Sequence, residues 1–453
     1  MERRRFDYKG KEDFIHTLKN SSKILGYNEN LNNLTESINI DGKTAPNRFV
    51  SLPMEGQDAI EGAPSDLTFH KYQRIAKGGY GLIWIEACSV NSEGMSNDGQ
   101  LYLNDKNYKK FEKLNKCIKL SGLESEYKYE PVTILQLNHS GRYSNKNGKV
   151  NATIMTHRDK LDIKRGIEKD HELVEDDYLD NLINDYVKAA RLAKSAGFDG
   201  VDIKACHGYL LSEALGAFDR EGKYGGSFKN RTSLILNIIE AIKTDKDCDG
   251  LIIASRINAS DSITGYWGVN RFDNSVIELE EPIKLIDEMT KRGVSLFSIT
   301  MGNPYYYSYI NKPSNLGKDE DGIPPMKSCI NLLETAAHLQ KIYKHIPFVN
   351  VGYSWMKQYG VNVASFDIEN GNTQLAGFGR GSIAYSELPN DVIKDEIRPD
   401  KACISCNICS QLKANDLIVG CAVREPDIYR KYVKILNGGK NWKWRLWQER
   451  LEE

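Results

Sequence analysis

The chain of 453 residues carries 61 lysines and arginines against 62 acidic residues, a net charge of −1 with the signs interleaved. That balance argues against a nucleic-acid groove or an electrostatic membrane-binding face. Mean hydropathy is −0.51, and no apolar run approaches the ~18 residues of a membrane span.

In chain order, residues 1–45 read as a polar, Asn- and Lys-rich extension. Its basic start, Met1-Glu-Arg-Arg-Arg-Phe6, has no apolar stretch behind it, so no secretory signal is expected. The nine cysteines are then expected as reduced thiols in the cytoplasm. Eight β-rich runs bounded by Gly and Pro follow, at 47–54, 81–88, 131–137, 200–204, 250–256, 295–300, 347–351 and 374–379. Amphipathic stretches lie between them. Over 178–196, Leu179, Leu182, Ile183, Tyr186, Ala190 and Ala193 share one face, and Gly197 marks the stop. Stretches 282–292 and 335–345 repeat the pattern. Strands alternating with helices predict an α/β (β/α)8 TIM barrel over 46–394. An open doubly wound sheet is the alternative, but its glycine-rich first turn is missing. Long polar segments at 139–177 and 303–330 follow strands three and six, at the end of a barrel where chemistry is done. Residues 395–453 form a last segment with four cysteines and a tail, Trp442-Lys-Trp-Arg-Leu-Trp447, expected as a helix packed on the barrel.

Polar residues gather at the predicted strand ends. Gln136 is near the end of strand three, Lys204 closes strand four with His207 and Tyr209 just beyond, and Arg256 closes strand five. Gly352 follows strand seven, and Gly377-Phe-Gly-Arg-Gly381 ends strand eight. The loops after strands seven and eight of a barrel commonly hold phosphate through backbone N–H groups. Arg380 between two glycines adds a charged partner. The expectation is a phosphorylated cofactor clamped across the mouth. Taken singly, each residue has a plainer reading: Arg256 a surface ion pair, Tyr209 a packing residue, Lys204 a solvated chain.

Cys403-Ile-Ser-Cys406-Asn-Ile-Cys409, then Cys421, places three thiols at i, i+3 and i+6 with a fourth farther along. That spacing suits a [4Fe–4S] cube. Zinc is the rival, although structural zinc sites usually use two well-separated pairs. Such a cluster would make this an electron-handling protein.

These motifs together resemble the old yellow enzyme family of FMN-dependent barrels. The resemblance is closer to the branch containing bacterial 2,4-dienoyl-CoA reductase and trimethylamine dehydrogenase, which carries a [4Fe–4S] cluster after the barrel. It rests on Asn47-Arg-Phe-Val-Ser-Leu-Pro-Met54, Ala76-Lys-Gly-Gly-Tyr-Gly-Leu-Ile83, Gln136-Leu-Asn-His-Ser-Gly-Arg142, His207-Gly-Tyr-Leu-Leu211, Arg220 with Tyr224-Gly-Gly-Ser-Phe-Lys-Asn-Arg231, and Cys403 to Cys421. It implies that Pro53 and Met54 touch a flavin through their backbone and that Ala87 sits near the ring. The Gln136 amide would bind the pyrimidine edge, and Arg256 would lie near N1. Gly352, Gly379 and Arg380 would hold the phosphate. Cys403, Cys406, Cys409 and Cys421 would ligate the cluster. Tyr209 would protonate the substrate carbon opposite hydride attack. Where the family places a His/Asn or His/His pair on the acceptor oxygen, this chain has Lys204 and His207, a more cationic pair suited to a carboxylate or developing enolate. The multidomain relatives continue into two nucleotide-binding modules, which are not expected here, since 32 residues follow Cys421.

The expected function is reduction of an activated C=C bond (enoate, enone or dienoyl type) by an FMN- and [4Fe–4S]-dependent oxidoreductase. NADH, NADPH or an electron-donor protein would supply the electrons. A cytoplasmic homo-oligomer acting on a small unsaturated molecule is expected, with no nucleic-acid or membrane partner. Two alternatives stand beside it: oxidative amine demethylation, with the tyrosines at 305–309 as an aromatic cage, and an electron-transfer subunit.

Overall fold

Each of the eight apolar runs becomes a parallel strand in a computed structural model that describes residues 5–270, 273, 276–315 and 323–438. The strands are β1 (Phe49–Ser51), β2 (Leu82–Ser89), β3 (Val132–Asn138), β4 (Gly200–Ile203), β5 (Ile252–Ser260), β6 (Val294–Met301), β7 (Phe348–Val351) and β8 (Leu375–Phe378). They pair in sequence order, and β1 closes the ring by pairing with both β8 and β2. The result is a closed (β/α)8 barrel. Its strands are buried almost throughout, as strands covered on both faces must be.

The first run is shorter than expected. The Asn47 amide turns onto Gly79 O at 2.7 Å and accepts from Phe49 N and Gly81 N at 3.0 Å, capping β1 before it starts. Pro53 then has no N–H to extend the ladder.

The covering helices follow from their caps and faces. After α1 (Lys11–Ser21), α2 (Asp66–Lys77) opens with a capping box in which the Ser65 and Thr68 side chains bond each other's backbone N–H. α3 (Tyr108–Gly122) follows β2. In α4 (Asp176–Ser195), Leu179, Leu182, Tyr186, Ala190 and Ala193 are buried as the periodicity predicts, with Asp176 and Asp177 at the positive end of the helix dipole. α5 (Phe228–Thr244) and α6 (Glu280–Lys291) precede α7 (Pro325–Ile342). That last helix begins ten residues before the expected 335, because Pro325 suits a first-turn position and Met326, Cys329 and Ile330 extend the buried face. α8 (Gly360–Glu369) leads into β8.

Residues of the N-terminal extension are folded. Phe14, Leu18, Leu34 and Ile40 are fully buried in the same core as the strands. The hairpin Ile38–Ile40 with Lys43–Ala45 and the bond from Arg48 N to Leu34 O seat the extension under the strand starts. At the opposite end, the C-terminal segment folds as α9 (Ile408–Ala414) and α10 (Pro426–Leu436). The Trp442–Trp447 tail lies outside the described residues. No described helix is long and apolar enough to cross a membrane.

Candidate functional site

A cavity opens at the C-terminal mouth of the barrel. Its volume is about 150 Å³, and it opens to solvent. The β1 loop contributes Pro53, Met54 and Glu55, β3 contributes Gln136, and the β4 end contributes Lys204 and His207. Arg256 comes from β5, and Gly352, Gly379 and Arg380 from the ends of β7 and β8. Of the residues expected at the site, Ala87 and Tyr209 do not line this cavity. Ala87 is buried with its carbonyl accepting from Gln100 Nε2 at 3.2 Å.

Asp202, one pleat before Lys204 on β4, organises one wall. It is fully buried and accepts from Gln136 Nε2 (2.6 Å), Trp84 Nε1 (2.9 Å) and Arg256 N (2.7 Å). Burial raises its carboxyl to about 6, opposed by those donors. Gln136 is thereby locked with its amide nitrogen turned away toward Asp202.

Two of the guanidinium groups that line this cavity carry buried N–H groups without a partner: Arg256 Nε and Arg380 Nη1. Arg380 Nη2 is satisfied by Pro313 O at 2.6 Å. Buried charged donors without acceptors are costly, so both point to an acceptor carried by a ligand. The backbone beside them is open. Gly352 has φ +128°, and a Cβ added there would meet nothing closer than 3.7 Å, whereas a Cβ on Gly379 would sit 3.3 Å from Met54 Sδ. Lys312, from the loop after β6, adds another cation, lowered to about 8 by burial and by Lys413. The donor set fits a planar heterocycle bearing a phosphate.

The β4 end holds several buried titratable groups. Lys204 is 3% exposed, and burial lowers its ammonium to about 8 against the pull of Glu55. His207 has a left-handed backbone, φ 67°, and burial with Arg256 and Lys204 keeps it neutral. Tyr209 lies just behind the cavity wall, 2% exposed, with Lys204 Nζ 3.9 Å from its ring centre. Its hydroxyl is 2.6 Å from Tyr305 Oη and 3.4 Å from Glu55 Oε1. Burial and the Glu55 charge push the phenol well above its ordinary range. Burial also works against the Glu55 carboxylate, but Lys413 and Lys204 hold it below the usual range. Glu55 Oε2 is buried without a partner.

Sequence reasoning missed Glu55, Asp202 and Lys413, and it read Tyr305 only as part of an aromatic cage. Asp202 shares the inward period of Lys204 and could have been found. Glu55 follows directly on Pro53-Met54. Nothing in the sequence placed Lys413 at the barrel mouth.

A second, smaller cavity is bordered by Cys403, Cys406, Cys409 and Cys421 together. Ser405 and Asn407, between the first three of these cysteines, take positive φ (54° and 60°). Burial and the neighbouring thiol of Cys403 push Cys421 up to about 12. Among the described residues, no three His, Cys, Asp or Glu side chains converge tightly enough to grip a single metal ion. Cys409 and Arg380 border both cavities.

The model of the NADH:flavin oxidoreductase / NADH oxidase family matches residues 33–397. The NADPH dehydrogenase of Listeria monocytogenes is 30% identical over 268 residues, 57% of this chain and 70% of that protein. Among solved structures, a 2-naphthoyl-CoA reductase complex with 2-naphthoyl-CoA is similar at a TM-score of 0.70 and 22% identity, over 89% of this chain and 58% of that one. The old yellow enzyme homologue of Zymomonas mobilis is similar at 0.58 and 20%, over 80% of this chain and 93% of that one. This chain thus spans little more than half the length of the first of these structures, and at such identities both likenesses are of fold.

Proposed function

Because the chain belongs to the NADH:flavin oxidoreductase / NADH oxidase family, and so is a flavin-dependent oxidoreductase, we propose that it reduces a C=C bond conjugated to a carbonyl or carboxylate, using FMN and a [4Fe–4S] cluster. One observation carries the reading. Nine residues expected at the site from sequence line a single mouth cavity, with two guanidinium donors awaiting acceptors.

FMN, when bound, supplies hydride to the β-carbon of the acceptor. Arg380, with the backbone at Gly352 and Gly379, would hold its phosphate. Arg256, whose backbone N is held by Asp202, would face the pyrimidine end of the ring, and Gln136 would present its carbonyl oxygen there. Lys204 and neutral His207 hold the substrate oxygen, where a cation favours the charge that develops. Tyr209 delivers the proton to the α-carbon.

Cys403, Cys406, Cys409 and Cys421 would hold the cluster, which supplies one-electron storage beside a two-electron centre. What supports this reading is the compact spacing of Cys403, Cys406 and Cys409 and the fact that all four cysteines border one cavity.

The test is anaerobic purification, cofactor analysis, and stopped-flow reduction by NADPH, NADH and a reduced ferredoxin. Reoxidation is then screened against enoates, enones and dienoyl thioesters. Holoenzyme reduced by any of these donors but reoxidised by no unsaturated acceptor would sink the C=C reading.

A further inference from the structure

We infer that Tyr305 is a second acid of the site, passing its proton to Tyr209 as Tyr209 protonates the substrate, with Lys413 of the C-terminal segment holding the charge left behind. The inference rests on the C=C reduction proposed above.

The geometry is built for it. The hydroxyls of Tyr209 and Tyr305 lie 2.6 Å apart, so one must donate to the other. Tyr305 is fixed independently of Tyr209. Its ring stacks on Tyr143 at 3.8 Å and 17°, and its backbone N donates to Asn303 Oδ1 at 2.9 Å. The Asn303 amide also donates to Tyr143 Oη at 3.0 Å, so one side chain sets both rings. Tyr209 is 2% exposed, and the shortest hydrogen bond of its hydroxyl leads to Tyr305.

The surrounding charges fix the direction. Glu55, Lys204 and Cys206 face Tyr209, while Glu55, Lys413 and Arg165 face Tyr305. Burial and Glu55 oppose a negative charge on Tyr209. Burial opposes one on Tyr305 as well, but there Lys413, its Nζ 6.0 Å from the ring centre, works in its favour. A phenolate is therefore held better on Tyr305 than on Tyr209.

The step balances. The Tyr209 O–H bond breaks as the substrate α-carbon gains its C–H bond, the hydride having come from the reduced cofactor. The Tyr305 O–H bond breaks and the Tyr209 O–H bond re-forms. The phenolate remains beside the Lys413 ammonium until solvent returns a proton.

Two readouts test this on the holoenzyme. Tyrosine labelled with carbon-13 at Cζ is followed against pH without any substrate, the signals being assigned with Tyr209→Phe and Tyr305→Phe. The Tyr209 and Tyr305 signals are expected to share one coupled transition. Tyr305→Phe should move the Tyr209 transition to higher pH, and Lys413→Met should do the same to the Tyr305 signal. Pre-reduced enzyme is then mixed anaerobically with cyclohexenone in water and deuterium oxide mixtures. Tyr305→Phe, which keeps the stacked ring, should slow reoxidation roughly 10- to 100-fold and turn a curved proton inventory linear. If Tyr305→Phe matches wild type in rate and inventory and the two signals titrate independently, while Tyr209→Phe is slow, the relay is wrong and the C=C reading survives. If neither variant slows reoxidation, Tyr209 is not the donor, and both readings fall.

Discussion

Lys413 Nζ lies 3.0 Å from Glu55 Oε1, which ties α9, the helix that carries Cys409, to the loop that follows β1. One residue further along that loop, Gly56 O accepts from Val419 N at 2.7 Å. The segment 403–421 is thus stitched to the β1 loop at two points, both between Cys409 and Cys421. Lys413 completes the acid site from a part of the chain far from the β4 motif.

Tyr209→Phe should leave flavin binding and reduction by NADPH nearly intact. Reoxidation by the unsaturated substrate should slow roughly 10²- to 10⁴-fold, the usual worth of general acid catalysis. Rapid mixing of pre-reduced enzyme with substrate, followed by flavin absorbance, gives both half-reactions.

Lys204 titrates near 8 in the free site, so it is charged below that pH and neutral above it. The hold on an acceptor oxygen proposed for it would therefore be present at pH 7 and lost as pH rises through 8. Reoxidation rate plotted against pH should fall on the alkaline side, and Lys204→Met should lower the rate and abolish that limb. An unchanged alkaline limb in the variant would assign the titration to another group.

Arg380→Ala should weaken FMN retention by roughly 1–3 kcal/mol, the scale of a charge-assisted contact. Fluorescence of flavin released on dilution measures it. Unchanged affinity would remove Arg380 from the phosphate site.

Metal and sulfide analysis of anaerobically purified protein should give four irons per chain, and Cys421→Ser should lose them while keeping FMN. One zinc without labile sulfide would instead support the tetrahedral alternative.

Lys71 and Glu86 form an ion pair behind the cavity, 7% and 2% exposed. Glu86 also accepts from Gly56 N, and Lys71 Nζ donates to Met54 O at 3.3 Å. Lys71→Met strands a buried carboxylate and should cost about 3–5 kcal/mol, read as a lower midpoint in urea. A midpoint within error of wild type would show that the pair does not brace the loop.

The barrel was legible because a parallel strand covered on both faces must be uniformly apolar, and Gly and Pro punctuate it. The strand-end residues were legible for the same reason: β4 shows Lys204 at the end of an apolar run. Contacts made between distant segments left no such trace. Tyr305 reads as one tyrosine in a row of three, and its role depends on Asn303 and Tyr143 turning it toward Tyr209. The N-terminal extension looked like a polar fringe because its apolar residues, Phe14, Leu18 and Leu34, are diluted among Asn and Lys. Averages over that stretch hide a face that only the barrel floor reveals.

That floor has a consequence for how the protein is made. Ser22 Oγ bonds Glu334, Asn33 Nδ2 bonds Ser365 O and Asn28 Nδ2 bonds Glu369, pairs separated by 312, 332 and 341 positions. A ribosome adding about 5–20 residues per second needs roughly 15–70 s to deliver the far partners after the near ones. Through that interval Phe14 and Leu18 have no pocket to enter. The nascent chain therefore passes through a sticky stage that ends only with the last strands. Chaperone demand during synthesis should fall when the first 45 residues are transplanted to the far end of the gene by circular permutation.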